Sequence, residues 1–127
     1  MFADRPIAAM LPASDLDRAK AFYKETLGLE PAEDTPYGGA RYDVGGTSLV
    51  VYPSQFAGTN KATAVGWDVA DLDAAVSRLK GQGVAFQEFE MEGMKMENSI
   101  LTSPDGMRAA WFEDTEGNII GLMETSG

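Results

Sequence analysis

The sequence predicts an α+β fold in which two β-α-β-β-β modules form one domain of residues 1–127. Two observations predict this fold. The order of a strand, a helix and short strands occurs twice, at about residues 6–52 and 62–124, with a polar linker at 53–61 between them. Residues of the first half also recur in the second half at constant spacing, and such internal repetition indicates the architecture of a chain.

The first module begins with an apolar, strand-like run from Pro6 to Ala13. Apolar residues then recur at helical spacing from Leu16 to Leu27, with Ser14 or Asp15 as the N-cap and Gly28 at the end. Glycine-rich turns separate three further apolar runs. We therefore expect short strands at about residues 30–35, 40–44 and 47–52.

The second module follows the same order. A strand-like run at 62–69 precedes a helical pattern from Asp71 to Lys80, and Gly81 is the predicted terminator of that helix. Alternating or apolar runs after the helix predict strands at 84–89, 100–103, 109–113 and 118–124.

Equivalent residues of the two modules lie at two constant spacings. A spacing of 56 residues relates Ala8 to Ala64 and Asp15 to Asp71. A spacing of 71 residues relates Gly46 to Gly117. Asp-Leu-Asp is a good helix start by itself, but the matching element order favours a true duplication.

The composition excludes several classes of function. A formal net charge of −10 argues against binding to nucleic acid or an anionic membrane, since both require cationic contacts. The chain has no cysteine and no histidine, so thiolate chemistry and the commonest metal ligand and general base are absent. Neither a signal peptide nor a membrane span is visible, and we expect a cytoplasmic protein.

Three stretches resemble the vicinal oxygen chelate superfamily, which includes glyoxalase I, extradiol dioxygenases and bleomycin-resistance proteins. They are the helix entries "SDLDRAKAFYKETLGLEP" and "VADLDAAVSRLKGQGV" and the turn "FEDTEGNII". The resemblance implies that each half curls a mixed sheet into half of a cup and that the two halves enclose a pocket. It also implies a homodimer, because small relatives often complete the cup across a subunit boundary.

The resemblance also indicates where metal-dependent members hold their ligands, on the first and last strand of each half. Carried over by position, these places are Ala8, Val50, Ala64 and Gly121. None of the four side chains can bind a metal ion. We therefore expect no metal and no cofactor.

Without metal ligands, the predicted cup is lined by small, apolar or flexible residues that share one face of the strands by period-two alternation. The predicted ligand-binding residues are Met10, Ser48, Val50, Tyr52, Ala64, Gly66, Asp68, Trp111, Gly121 and Met123. Trp111 and its neighbour Phe112 lie on opposite faces of one strand, and alternation does not tell which of them faces the cup. The small residues leave room for a ligand unless side chains of other strands fill it as ordinary core.

Two further features leave alternatives open. The acidic, methionine-rich segment "FQEFEMEGMKMENS", residues 86–99, is either a lid over the cup or a solvated connection. Arg108 either anchors an anionic ligand or pairs with an acidic side chain.

The function that these observations favour is metal-independent binding of a small, partly apolar ligand, which the acidic residues would prefer to be cationic. The resemblance points to the antibiotic-sequestering branch of the family. The alternative is a metal-free lyase or isomerase of the glyoxalase type, with Asp68, Tyr52 or Glu92 as acid or base. A third possibility is a structural subunit with no ligand, and no catalytic residue is assigned.

Overall fold

The computed structural model describes residues 1–124, apart from the side chain of Tyr37. The chain divides into two compact units. The first unit contains Met1–Thr59 and the turn Thr115–Asn118, and the second contains Asn60–Asp114 and the strand that follows the turn. In chain order the elements are β1 (Ala8–Ala13), α1 (Leu16–Glu25), β2 (Glu33–Asp34), a 3-10 helix (Pro36–Gly38), β3 (Ala40–Val44), β4 (Thr47–Pro53), β5 (Thr63–Val69), α2 (Leu72–Gly81), β6 (Lys95–Glu97), β7 (Ile100–Thr102), β8 (Arg108–Glu113) and β9 (Ile119–Glu124).

The first unit is a four-stranded mixed sheet in the order β1-β4-β3-β2, with α1 packed against β4. Strand β1 runs parallel to β4, and the other pairs are antiparallel. Apolar side chains of the helix and of alternate strand positions are fully buried between the two layers. This core contains Leu11, Ala19, Tyr23, Tyr42 and Val51.

The second unit is a five-stranded mixed sheet in the order β5-β9-β8-β7-β6, with α2 packed against β8 and β9. Strand β5 runs parallel to β9. Its core has the same construction, with Leu72, Val76, Ala110, Phe112 and Ile120 fully buried. The predicted α+β fold with two curled mixed sheets is confirmed.

The pairing registers of the two sheets follow the spacings found in the sequence. Met10 lies opposite Val50 between β1 and β4, and Gly66 lies opposite Gly121 between β5 and β9. These two pairs are related by the same spacings of 56 and 71 residues. The duplication is therefore present in the backbone pairing, while the module bounds at 6–52 and 62–124 stay a prediction.

Both helices begin with the same aspartate cap. The carboxylates of Asp15 and Asp71 accept hydrogen bonds from the amides of Arg18 and Ala74 at 3.1 and 3.0 Å. Of the two predicted caps, Asp15 is therefore correct and Ser14 is not. The predicted terminator of α2 is also wrong, because the helix continues through Gly81 and the positive φ of 90° falls at Gly83.

The segment between α2 and β7 differs most from the sequence prediction. Residues 84–89 form no strand and make only one bridge, between Phe86 and Phe112. The reason is that β6 and β7 form an unpredicted hairpin, which pairs with the first part of β8 and leaves only its end for residue 86. Asn98 and Ser99 close this hairpin with φ values of 52° and 65°.

Both helices are ten residues long. Within residues 1–124, neither helix has the length or the apolar character needed to cross a bilayer.

Candidate functional site

In each unit, one face of the sheet packs against the helix and the other face is more exposed. Strand β4 shows this division: Leu49 and Val51 are buried, whereas Val50 and Tyr52 are only partly buried. Because successive strand residues point to opposite faces, the residues predicted from alternation lie on the face away from the helix. We call this surface the helix-free face of each unit.

The helix-free face of the first unit contains an apolar recess of about 440 Å³. Three predicted residues, Met10, Val50 and Tyr52, line it together, and the Met10 side chain is 54% exposed. Thr35 and Pro36 complete the wall with Pro53. Sequence reasoning missed Thr35 and Pro36 because they belong to a short turn, where strand periodicity gives no signal; the proline that opens this 3-10 helix was the only indication.

Ser48 lies apart from that recess. It lines a separate depression of about 390 Å³ with Ile7, Asp43 and Thr47. Ala8 lies directly opposite Ser48 in the sheet register, and its side chain is exposed. Of the four ligand-binding residues predicted in the first unit, three therefore line the recess together, and Ser48 lies outside it.

The helix-free face of the second unit contains two glycines side by side, Gly66 on β5 and Gly121 on β9. We call them the glycine pair. Two predicted residues cover it. A Cβ atom at Gly121 would lie 3.0 Å from Nε1 of Trp111, and a Cβ atom at Gly66 would lie 2.5 Å from the methyl carbon Cε of Met123.

The space beside Gly121 is therefore occupied, and the expectation that this residue leaves open volume is wrong. Trp111 lies directly opposite Gly121 between β8 and β9, so its indole extends over the bare backbone. The methyl group Cγ2 of Thr63 also covers Gly121, at 3.3 Å from the position that a Cβ atom would take there. Across this strand pair, a missing side chain is compensated by a large neighbour.

The structure shows which of the two neighbouring rings, Trp111 or Phe112, lies on the helix-free face. Phe112 is fully buried, whereas Trp111 is partly exposed on the helix-free face. Trp111 also contacts Phe89, with ring centroids 5.5 Å apart at an angle of 53°. An indole with a partly accessible surface is well suited to contact an apolar ligand.

Phe89 joins the helix-free face to a second recess of about 520 Å³. This recess lies inside the predicted lid segment, and its wall consists of Phe89, Glu90, Met91, Glu92, Met94 and Met96. The backbone amide of Phe89 donates to the sulfur of Met96 at 3.3 Å, which ties the start of the segment to β6. Whether the segment closes over a ligand stays a prediction.

The two remaining predicted residues of the second unit, Ala64 and Asp68, lie on the exposed strand β5. Asp68 is opposite Met123 in the register, two positions beyond the glycine pair. Asp68 is thus the predicted acidic residue on β5, the strand that contains Gly66.

A buried carboxylate, Glu116, holds the start of α1 in the first unit. It accepts hydrogen bonds from the Asp15 amide at 2.9 Å and from Nε of Arg18 at 2.8 Å, and the hydroxyl groups of Ser14 and Thr115 also donate to it. Burial alone would raise the pKa of Glu116, but these hydrogen bonds outweigh it and lower the pKa to about 2. Glu116 is thus an ionised structural group and not a proton donor.

Arg108 pairs with acids at the start of α2. Its guanidinium donates to both carboxylate oxygens of Asp73 at 3.0 and 2.9 Å and to Glu124 at 2.9 Å. Glu124 also accepts from the Leu72 amide at 2.9 Å, and these two contacts lower its pKa. Structural pairing is therefore the role that the structure gives Arg108.

The residues present do not fit the metal site that the family resemblance implies. Ala8, Val50, Ala64 and Gly121 carry no coordinating atom. Within residues 1–124, one group of carboxylates lies close enough together to bind an ion, namely Asp71, Asp73 and Glu124. The guanidinium of Arg108 already neutralises two of these acids, and Glu124 points toward the helix amide of Leu72.

Comparison with known families agrees with this architecture. The profile of the Glyoxalase/Bleomycin resistance protein/Dioxygenase superfamily matches residues 6–122. The chain belongs to this superfamily. The glyoxalase/bleomycin-resistance resemblance inferred from the helix entries and the closing turn is thus confirmed.

Relatives in the superfamily differ in what they do. The chain is 30% identical to the uncharacterised protein YurT of Bacillus subtilis (strain 168), over 87% of this chain and 91% of that protein. It is 26% identical to TnmS3, an antibiotic binding protein from Streptomyces sp. CB03234, with a TM-score of 0.69 and coverage of 99% of both chains. A lactoylglutathione lyase from Agrobacterium tumefaciens shares the fold at 19% identity, with a TM-score of 0.71 and coverage of 98% of this chain and 96% of the lyase.

Proposed function

We propose that this protein binds a small, partly apolar molecule on its helix-free faces without the aid of a metal ion. The observation that carries the proposal is the partly exposed indole of Trp111, which lies over Gly121 and contacts Phe89 in the wall of the second recess. At a place where the family resemblance puts a metal ligand, this chain thus presents an aromatic surface. Similarity to the antibiotic binding protein TnmS3 supports a binding function of the same kind.

Burial of apolar surface would supply the affinity. Each Å² of apolar surface removed from water stabilises a complex by roughly 25 cal/mol before the costs of association. Trp111, Phe89 and the methionines of the second recess offer such surface, and so do Val50 and Tyr52 in the first unit. Methionine side chains adapt their shape to a ligand, so these walls suit a bulky or irregular molecule.

The acidic side chains around the second recess favour a ligand with positive charge. Glu90 and Glu92 belong to its wall, and Lys95 is the one basic residue within residues 86–99. With a net charge of −10, the whole chain also attracts cations at long range. A cationic ligand should therefore bind more tightly than a neutral analogue, and added salt should reduce the difference.

The side chains at the family's metal positions support metal independence. The positions that hold metal ligands in metal-dependent relatives have no coordinating atoms in this chain. Of the clustered acids Asp71, Asp73 and Glu124, the last two pair with Arg108, and Glu124 also accepts a hydrogen bond from the first amide of α2. A metal-free lyase is less well supported. Of its candidate acids and bases, Tyr52 lines the first recess and Glu92 the second, and no pair of them shares a hydrogen bond.

The proposal also includes a homodimer, because the family resemblance implies that small members often form dimers. Light scattering of the purified chain should give twice the mass of 13.6 kDa. A monomer that still binds ligand would refute the dimer and leave the binding function standing.

The test of the binding function is a calorimetric titration with two planar probes, neutral N-phenylnaphthylamine and cationic acridine orange. We expect saturable binding of both, with the cation tighter. Trp111→Ala should weaken binding about tenfold or more, because the indole contact is lost.

Trp67→Phe is the matched control, since the second tryptophan lies one position from Gly66 and so on the opposite face of β5. It should bind like the unaltered chain. Absence of saturable binding by both probes, together with an unshifted melting temperature, would contradict the binding function.

A further inference from the structure

The cover of the glycine pair differs in kind between its two members. Over Gly121 lie a large indole and a threonine methyl group, both on neighbouring strands. Over Gly66 lies the free end of one flexible side chain, the thioether methyl of Met123, and Gly66 itself remains exposed. The Met123 side chain is 37% exposed, so it has room to move.

We propose that the exposed backbone at Gly66 is the floor of a ligand subsite for a flat apolar ring, bounded by the Trp111 indole that covers Gly121, and that the Met123 side chain occupies this subsite until the ligand displaces it. This inference rests on the proposed binding function. It specifies the place at which the ligand binds and the part of the ligand, a flat apolar ring, that binds there. Met123 is then a specificity-determining residue.

The shape of the floor favours a flat group. Gly66 leaves exposed backbone on β5, and about 4.8 Å away on β9 lies Gly121, which the Trp111 indole covers. Glycine within a strand often marks a place where a ligand approaches the backbone closely. A planar ring can lie on the backbone of Gly66, with the edge of the Trp111 indole beside it, whereas a side chain at Gly66 would prevent that approach.

The displacement of Met123 has a low cost because only a methyl group must leave. A Cβ atom at Gly66 would come within 3.8 Å of the sulfur and 2.5 Å of Cε, so the contact involves only the far end of the side chain. Thioether side chains have three rotatable bonds and no strong shape preference. The rest of Met123 can stay in place while its end turns toward solvent.

The contrast with the first unit supports this role. The equivalent register position there holds Met10 opposite Val50, so the floor is filled by side chains of the two residues themselves. In the second unit, by contrast, the equivalent residues contribute no side chain at all. Of these two equivalent positions, the second therefore leaves backbone without side chains of its own, and Gly66 is the exposed part of it.

The experiment compares three variants of the full chain by titration with N-phenylnaphthylamine. Gly66→Ala should fold, because its φ is not positive and the neighbouring methyl can shift, and it should weaken binding about tenfold. Met123→Ala should strengthen binding about threefold or more, because no side chain must be displaced. Gly81→Ala is the control: a Cβ atom there meets no atom of the described chain within 4 Å.

A second measurement follows the methionine methyl groups by NMR in protein labelled at those carbons. Saturation with the probe should shift the Met123 signal and leave the signal of Met107, which is 67% exposed, unchanged. Tight binding by the unaltered chain with equal affinity in Gly66→Ala, or with an unmoved Met123 signal, would overturn the subsite and leave the binding function intact. If neither N-phenylnaphthylamine nor acridine orange binds, the binding function fails, and the subsite fails with it.

Discussion

The pairs Met10–Val50 and Gly66–Gly121 occupy the same register position in the two sheets but present different surfaces. In the first unit both residues contribute side chains that line a recess. In the second unit neither residue has a side chain, and Trp111 and Met123 cover the backbone from neighbouring positions. A repeated backbone therefore does not imply a repeated surface.

This difference indicates how one fold can keep its core and change its ligand. The buried faces of the two sheets are alike, since alternate residues such as Leu11 and Ile120 are fully buried against a helix. The helix-free faces are more exposed than the buried faces and differ between the two units. At the equivalent position the first unit presents side chains, and the second presents two glycines that neighbouring side chains cover.

The largest predicted effect comes from filling the floor at Gly121. Gly121→Phe should lower the free energy of unfolding by about 3 kcal/mol, because the ring must displace Trp111 and Thr63 from a covered position. Val50→Phe, at the partly exposed equivalent position, should cost less than about 1 kcal/mol. Urea denaturation of both variants measures the difference.

Gly121→Ala is the control for the backbone. The φ of Gly121 is not positive, so alanine tests only the crowding by Nε1 of Trp111 at 3.0 Å. If Gly121→Phe unfolds at the same urea concentration as the unaltered chain, Trp111 does not cover this residue, and the contrast between the two pairs is lost.

The next effect distinguishes the two helix starts. Glu116→Gln should destabilise the protein by about 2 kcal/mol, because a fully buried carboxylate loses charged hydrogen bonds with Arg18. Glu124→Gln removes a similar but more exposed group and should destabilise the protein less than Glu116→Gln does. Equal effects in thermal or urea melts would show that the two carboxylates are not used differently.

Acid should unfold the protein through Glu116. The pKa of this group is about 2 in the folded chain against an ordinary value of 4.5, so folding favours its ionised form. The resulting stability is fully present above about pH 4.5 and is lost as the pH falls from there toward 2. Melting temperatures across this range should fall less steeply for Glu116→Gln than for the unaltered chain, and parallel curves would refute the assignment.

The smallest predicted effect is that of metal removal. The four family positions Ala8, Val50, Ala64 and Gly121 carry no coordinating side chain, so chelation with EDTA should leave the melting temperature and probe binding unchanged. Elemental analysis should find no stoichiometric divalent ion. About one zinc, nickel, manganese or iron ion per chain, lost together with stability, would contradict metal independence.

Local sequence patterns were sufficient to predict most of the fold. Asp15 and Asp71 start their helices as caps, and the turn glycines Gly46 and Gly117 have φ values of 83° and 85°. These features depend on backbone chemistry within a few residues. The hairpin at Asn98–Ser99 escaped prediction because neither residue is a glycine, although both have positive φ.

The composition of the site was harder to predict, since it depends on neighbours across strands. Alternation places Trp111 and Phe112 on opposite faces but does not say which face is the core, and burial of Phe112 decides it. The coverage of Gly66 by Met123 depends on the conformation of one flexible side chain, which no periodicity indicates. The turn residues Thr35 and Pro36 were missed for the same reason.

The most direct test of the binding function and its location is a crystal structure of the full chain with N-phenylnaphthylamine bound. We expect the ring of the probe on the backbone of Gly66, in contact with Trp111, and the methyl end of Met123 turned away from Gly66. Density for the probe elsewhere, with Met123 still over Gly66 at full occupancy, would contradict the account of the second unit as a ligand-binding face.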